Sequence, residues 1–174
     1  VRAMPALTGL NCDALTSKLE QPPDVVLAND NNPGQVVISG TPTAVEAVMN
    51  GIKTKRAVKL NVSGAFHSPL MAAAATEFAS LLEAVAFQDA QVPVLSNVDP
   101  SPSSNSAVLK QRLVQQMTGS VRWRETVLRL PEEGIDTVIE LGPGSVLTGL
   151  VKRTCKGLKL INIGNLEQLD TIAS

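Results

Sequence analysis

The stretch Val25-Val26-Leu27-Ala28-Asn29-Asp30-Asn31-Asn32-Pro33-Gly34-Gln35-Val36-Val37-Ile38-Ser39-Gly40-Thr41-Pro42 decides how the first third of this chain folds. Two apolar, β-branched runs, Val25 to Ala28 and Val36 to Ser39, flank Asn29 to Gln35, whose Asn, Pro and Gly content suits a hairpin connection. Thr41-Pro42 then reads as a helix start. The threonine side chain caps a free N–H, and proline lacks only an N–H that the first helical position leaves unpaired anyway. Val45, Val48, Met49 and Ile52 continue as a helical stripe.

Working outward, a strand is expected from Met4 to Leu10, followed by a helix led by Asn11 and stopped at Pro22-Pro23. On the other side Val58, Leu60 and Val62 alternate with Ala57, Lys59 and Asn61, the period of a strand with one buried face. The order β-α-β-β-α-β over residues 1–62 predicts a ferredoxin-like subdomain, with two helices on one face of an antiparallel sheet. That arrangement names no activity.

From Ser63-Gly64 the pattern changes, so residues 63–174 are expected to form a second subdomain. Ser68-Pro69 opens a longer helix with Leu70, Ala74, Phe78, Leu81, Leu82 and Val85 on one stripe. A short strand from Val92 to Asn97, a polar loop from Pro100 to Ser106 and helices from Ala107 to Met117 and Trp123 to Leu130 follow. Thr137 to Leu141 reads as a strand entering Gly142-Pro143-Gly144 and a helix through Val146, Leu147, Leu150 and Val151, before a last strand, Leu158 to Ile163, and a short helix. The alternation predicts a piece of a parallel α/β sheet. It has few strands, so either more of the sheet lies in other residues or this region packs on a partner.

Composition narrows the function. With 15 basic and 16 acidic residues the net charge is -1, and no basic run follows a phosphate backbone, so nucleic acid and anionic membrane are not expected partners. No run approaches the roughly 20 apolar residues that span a bilayer, and the N-terminus lacks the apolar core of a secretory signal, which predicts a cytoplasmic protein, with a plastid stroma as the variant. Cys12 and Cys155 stand far apart without other metal-ligating neighbours; free thiols in a reducing compartment are expected, and no metal.

The single histidine, His67, stands between a strand end and a helix start, where a scaffold can hold an imidazole into a cleft. By itself a lone loop histidine is more often a surface or capping residue than a base. A serine nucleophile needs a base in reach and usually sits in a Gly-x-Ser-x-Gly elbow, which the sequence lacks; Ser63 and Ser145 read as loop or cap serines. Gly142-Pro143-Gly144 could offer N–H groups to an anion, but a plain strand-to-helix turn is the simpler reading. Lys152 and Arg153 complement the far end of that helix.

Gly64-Ala65-Phe66-His67-Ser68-Pro69-Leu70-Met71 resembles the active-site histidine segment of malonyl-CoA:acyl carrier protein transacylases and of polyketide synthase acyltransferase domains. Ala28 to Gly40, Pro93 to Asp99, Val121-Arg122-Trp123 and Glu140 to Leu150 are similar to the same family, in the same order. The resemblance implies that a serine attacks the malonyl thioester and passes the acyl group to the pantetheine thiol of acyl carrier protein, with His67 as the base. It implies that the Gln116 carbonyl holds the second ring nitrogen of His67, that Asn97 lies close by, and that Asn29 lines the substrate cleft. Phe66 implies a preference for malonyl, since a bulky ring leaves less room for an α-methyl branch. No cofactor is implied; malonyl-CoA is a substrate, and acyl carrier protein is the partner.

The family's Gly-His-Ser-x-Gly elbow, its carboxylate-binding arginine and its glutamine-containing oxyanion loop have no counterpart in the sequence, and all are expected upstream of it. The missing N-terminal half of the enzyme is a further expected partner, and the chain alone is expected to form no acyl-enzyme. Two other readings stay open: a ferredoxin-like module that binds acyl carrier protein without chemistry, and an unrelated α/β hydrolase fragment.

Overall fold

Pro33 and Gly34 alone turn the chain between two long strands of a mixed α/β molecule. The computed structural model describes residues 3–10, 15, 18–19, 24–62 and 64–173, with side chains described to residue 169. Its first elements are β1 (Pro5–Thr8), β2 (Val25–Asn32), β3 (Gln35–Gly40), α1 (Pro42–Asn50) and β4 (Arg56–Lys59). The polar run Asn29 to Asn32, expected in the connection, is strand instead. It stays paired, Asn29 with Val37 and Asp30 with Val36, because register shifts between Leu27 and Asn29 and between Asp30 and Asn32 absorb extra residues as bulges.

The sheet runs β2-β3-β1-β4 with every neighbour antiparallel. Successive residues face opposite sides, so Val36 and Ile38 join Leu7, Leu15, Val25, Val45 and Val48 in one core, while Val37 meets Met4 and Ala28 on the other face. α1 starts as its sequence dictates, with Thr41 Oγ1 accepting from the Ala44 N–H at 3.4 Å. Leu15, Lys18 and Leu19 are helical, while the other residues of the helix expected from Asn11, Cys12 among them, lie outside the described residues.

The predicted buried face of the last strand is not formed. β4 is an edge strand with all four residues exposed, and Val58 and Val62 face solvent; only Leu60 reaches the Met4, Ala28 and Val37 cluster. Four cations, Lys53, Lys55, Arg56 and Lys59, mark this edge, as charges commonly do where a strand has no partner.

A 3₁₀ turn (Pro69–Met71) precedes α2 (Ala72–Glu83), so the expected single helix begins only after a tighter turn. Its expected stripe is half uncovered: Leu82 is buried and Ala74 and Phe78 are half-buried, whereas Leu70, Leu81 and Val85 are exposed. β5 (Val94–Ser96) pairs antiparallel with β6 (Asp99–Ser103), which corrects the loop expected at Pro100 to Ser106. Prolines are tolerated there because the hairpin is two-stranded and each strand keeps an unpaired edge. α3 (Ser106–Gln115), capped by Asn105, and α4 (Trp123–Glu132) lead to β7 (Thr137–Leu141), α5 (Val146–Thr154), β8 (Lys159–Ile163) and α6 (Leu166–Ala173). β7 and β8 are parallel, as expected of the second part. No described helix is long and apolar enough to cross a membrane.

Candidate active site

His67 is the only described non-glycine residue with a positive φ, 57°. A side chain in the left-handed region costs about 1–2 kcal/mol and persists only where the surroundings impose it. Three bonds impose it here. Ser68 is buried and its hydroxyl donates back to the Ala65 carbonyl at 2.6 Å, the Met71 N–H donates to the Ser68 carbonyl at 3.0 Å, and His67 Nδ1 lies 2.9 Å from the Gln116 carbonyl oxygen. Ser68 was expected only to open a helix; its hydroxyl ties the loop instead.

A carbonyl oxygen can only accept, so Nδ1 carries the proton and Nε2 keeps its lone pair. Gln116 follows the last turn of α3, and its carbonyl is one of those a helix leaves partly negative at its C-terminus. Such an acceptor orients the ring and fixes its tautomer. Asn97 completes the group: its Nδ2 donates to Gln116 Oε1 at 3.1 Å, and its own carbonyl accepts from the Arg122 N–H at 2.7 Å.

Two glycines give this arrangement its shape: Gly64, which opens the histidine segment, and Gly119, which did not stand out in the sequence. A Cβ on Gly119 would lie 2.9 Å from Val98 Cγ1 and 3.0 Å from the Gln115 carbonyl, so only glycine lets the chain leave α3 against the β5–β6 turn. A Cβ on Gly64 would stand 3.3 Å from the Phe66 ring and 3.5 Å from Met71 Sδ. Gly64 is therefore the seat on which Phe66, half-exposed beside His67, rests its ring. A glycine just after a helix end is a sequence signal that could have found Gly119.

Asn29 is held apart from this chain of bonds; among the described residues no hydrogen bond joins it to His67, Gln116 or Asn97. It lies on a seam where β2 meets the segment before α4. Asp30 N–H donates to the Val121 carbonyl at 2.9 Å, Val121 N–H to the Ala28 carbonyl at 2.8 Å, and the Ser120 hydroxyl to the Leu27 carbonyl. Arg124 pairs with Asp30 at 2.8 Å. Burial pushes the Asp30 carboxyl up from its ordinary range, and the Arg124 guanidinium opposes that shift. Asn29 Oδ1 is buried with no partner among the described residues.

The Gly142-Pro143-Gly144 turn is not open to an outside anion. The Leu147 and Thr148 N–H groups at the start of α5 donate to the Glu140 carboxylate at 3.0 and 2.8 Å, and Asn162 Nδ2 donates to it at 3.0 Å. These donors, the Thr148 N–H first, hold the Glu140 carboxyl below the usual range. Ser145 is exposed and makes no side-chain cap bond; Ser63 lies outside the described residues.

Residues 1–168 match the family model described as an acyl transferase domain. The chain is 56% identical over 169 residues to the malonyl CoA-acyl carrier protein transacylase of Synechocystis sp., covering 97% of this chain and 58% of that protein. It is 42% identical to the protein of the same name from Bacillus subtilis, covering 97% of this chain and 55% of that one. The crystal structure of the Synechocystis transacylase superposes with a TM-score of 0.94 over the same shares. A malonyl-transacylase solved in complex with its type II polyketide synthase acyl-carrier protein superposes at 0.92, with 36% identity over 98% of this chain and 57% of that one. The chain thus spans a little over half the length of the proteins it matches.

Proposed function

From the premise that the chain belongs to the acyl transferase domain family, we propose that it carries the base and the acyl-selecting loop of an enzyme that moves malonyl from malonyl-CoA to acyl carrier protein in fatty acid synthesis. The observation that carries this reading is the 2.9 Å bond from His67 Nδ1 to the Gln116 carbonyl, which leaves Nε2 free to accept a proton. In this reading the nucleophile is a serine on residues outside these 174, in a Gly-His-Ser-x-Gly elbow, with the carboxylate-binding arginine and the oxyanion loop beside it.

His67 Nε2 takes the serine proton as its oxygen bonds to the thioester carbon. The tetrahedral intermediate collapses by breaking the C–S bond, and the imidazolium returns the proton to the departing CoA sulfur, leaving malonyl on the serine. In the second half Nε2 takes the proton of the pantetheine thiol as its sulfur bonds to the acyl carbon; collapse of that intermediate breaks the ester C–O bond, and the proton goes back to the departing serine oxygen. The Gln116 carbonyl accepts from Nδ1 throughout, and Asn97 steadies Gln116. Phe66 narrows the acyl pocket against a branched substrate, and Asn29 lines the cleft. No cofactor takes part.

Residues 1–62 are a ferredoxin-like subdomain in this reading, a view supported by the strand order and its antiparallel neighbours, and residues 63–174 belong to the large α/β subdomain. The proposed setting is the cytoplasm, or a plastid stroma.

Radiolabelled malonyl-CoA tests the reading in two arms. The 174-residue chain alone is expected to retain no covalent label, and label on it would overturn the assignment of the nucleophile to other residues. In an enzyme completed with the upstream part of a relative, His67→Ala should lower transfer about 10²–10⁴-fold; transfer at the unaltered rate would instead identify a carrier-binding module. Phe66→Ser should shift selectivity toward methylmalonyl-CoA by about 10- to 100-fold, the range set by one methyl group.

A further inference from the structure

The Phe66 ring is placed by two residues to which the proposed mechanism gives no part. Its backbone is fixed from both sides, since Ala65 has no exposed surface and His67 is held at its positive φ. Only the two side-chain torsions of Phe66 remain to set where the ring stands. The outer edge of the ring, Cε2 and Cζ, folds back over Gly64 and lies 3.3 Å from where a Cβ would stand, and Met71 Sδ lies 3.5 Å from the same point. Ring edge and thioether therefore share the space that the absent Cβ leaves. The opposite side is open, with 38% of Phe66 exposed.

Met71 reaches this position because the histidine loop brings it there. It ends the 3₁₀ turn Pro69–Met71, and its N–H donates to the Ser68 carbonyl at 3.0 Å, so the bond that closes the loop around His67 also anchors the thioether. A methionine sulfur is polarisable, and its favourable contacts with aromatic rings fall about 5 Å from the ring and often at the ring edge. Packed interiors transmit small changes of volume. A ring backed on one side and open on the other moves when its backing changes size.

We propose that Met71 and Gly64 tune acyl selection by fixing how far the Phe66 ring stands into the acyl pocket, Met71 as the stop behind the ring and Gly64 as the gap into which its edge fits. Both are positioning residues, acting on the acyl group through Phe66. The effect on selection rests on the reading of Phe66 as the ring that narrows the acyl pocket. Opposite signs follow for two substitutions. Met71→Ala lets the ring sink back and admits an α-branched acyl group. Gly64→Ala presses the ring edge forward, and it does so by bulk alone, because Gly64 is not among the positive-φ glycines.

Competition between malonyl-CoA and methylmalonyl-CoA in the completed enzyme tests this, with the ratio of the two products as the readout, since loss of folded enzyme leaves a ratio unmoved. Met71→Ala should shift the ratio toward methylmalonyl by about two- to tenfold, a fraction of the one-methyl range. Met71→Leu, which conserves volume, should stay close to the unaltered enzyme, and Gly64→Ala should shift the ratio about two- to fivefold toward malonyl. An unmoved ratio in Met71→Ala, in an enzyme whose ratio Phe66→Ser does move, would overturn the proposal, as would shifts of the same sign in Met71→Ala and Gly64→Ala. The packing is read separately in the 174-residue chain labelled with ¹³C-methyl methionine, which has four such methyl groups. The Met71 signal, identified by its loss in Met71→Leu, should move when Phe66→Leu removes the ring current, and a signal that stays in place would overturn the proposal. No malonyl transfer by the unaltered completed enzyme would count against the transacylase reading instead, and the methyl signal would still decide whether Met71 backs Phe66.

Discussion

The small antiparallel sheet and the parallel pair near the C-terminus solve the same packing problem unequally. β1 to β4 with α1 enclose a contiguous core in which Leu7, Leu15, Val36 and Ile38 are all but inaccessible. β7, β8 and α5 bury Leu150 and Val151 yet leave Ile139, Leu141, Val146 and Leu147 exposed, Leu141 by 74% and Val146 by 71%. Within the 174 residues these four apolar side chains therefore add little to a core. The first region holds itself together by burial, whereas the second relies more on hydrogen bonds at helix ends, such as those the first turn of α5 donates to the Glu140 carboxylate.

The strongest way to break this comparison is to remove equal side-chain mass from each region of the 174-residue chain. Ile38→Ala should lower the free energy of unfolding by about 2–5 kcal/mol, because a fully buried branched side chain leaves both a lost transfer energy and a cavity. Leu141→Ala should fall within about 0.5 kcal/mol of the unaltered chain, as exposed positions do. Urea titrations followed by far-ultraviolet circular dichroism measure both. Equal losses would mean that the parallel pair has an inner core of its own.

The seam between β2 and the start of α4 comes next in size. Arg124→Ala leaves the Asp30 carboxylate buried without its cation, which should cost about 1–3 kcal/mol at neutral pH. Burial already raises the Asp30 pKa above its unfolded value, and removal of Arg124 raises it further. A carboxyl with a raised folded pKa destabilises increasingly as pH climbs through and above the ordinary carboxylate range. The deficit of Arg124→Ala relative to the unaltered chain should therefore grow from pH 4 to pH 7. A pH-independent deficit would place the role of Arg124 in packing instead.

How much of this was readable beforehand follows the same division. The hairpin, the Thr41-Pro42 start of α1 and the parallel β7–β8 pair were legible because local patterns fix them: alternation, a cap, an apolar run ending at a glycine turn. The strand character of Asn29 to Asn32 was not, since bulges let polar residues stay paired and bulges leave no periodic trace. Nor was β6, whose Pro100 and Pro102 argue against a strand unless the hairpin edge is known to be free. Within the candidate site, His67 could be singled out as the one histidine, placed between a strand end and a helix start, but Phe66, Asn97 and Gln116 could be named only through the family resemblance. Nothing in local sequence says that residue 67 meets residue 116. The parts played by Ser68 and Gly64 depend on the tight loop around His67, and that of Gly119 on its approach to Val98, which only the folded chain displays.

The smallest expected effect sharpens the account of the second region. If hydrogen bonds at the N-terminus of α5 compensate for thin packing there, Glu140→Gln should alter the pH dependence of stability more than its value at low pH. The carboxyl lies below the usual range because the Thr148 N–H, then the Leu147 N–H and the Asn162 amide, donate to its ionised form. A lowered folded pKa means that this contribution is fully present above the ordinary carboxylate value and is lost as pH falls through the folded one. Glutamine keeps an acceptor oxygen but carries no charge to meet the helix dipole, so it should remove that part of the acid-side slope. Stability measured between pH 2 and pH 7 should show the two proteins converging at the acid end and separating toward neutrality. Parallel curves would show that the charge of Glu140 contributes nothing, and that the turn is held by its two positive-φ glycines, Gly142 and Gly144, alone.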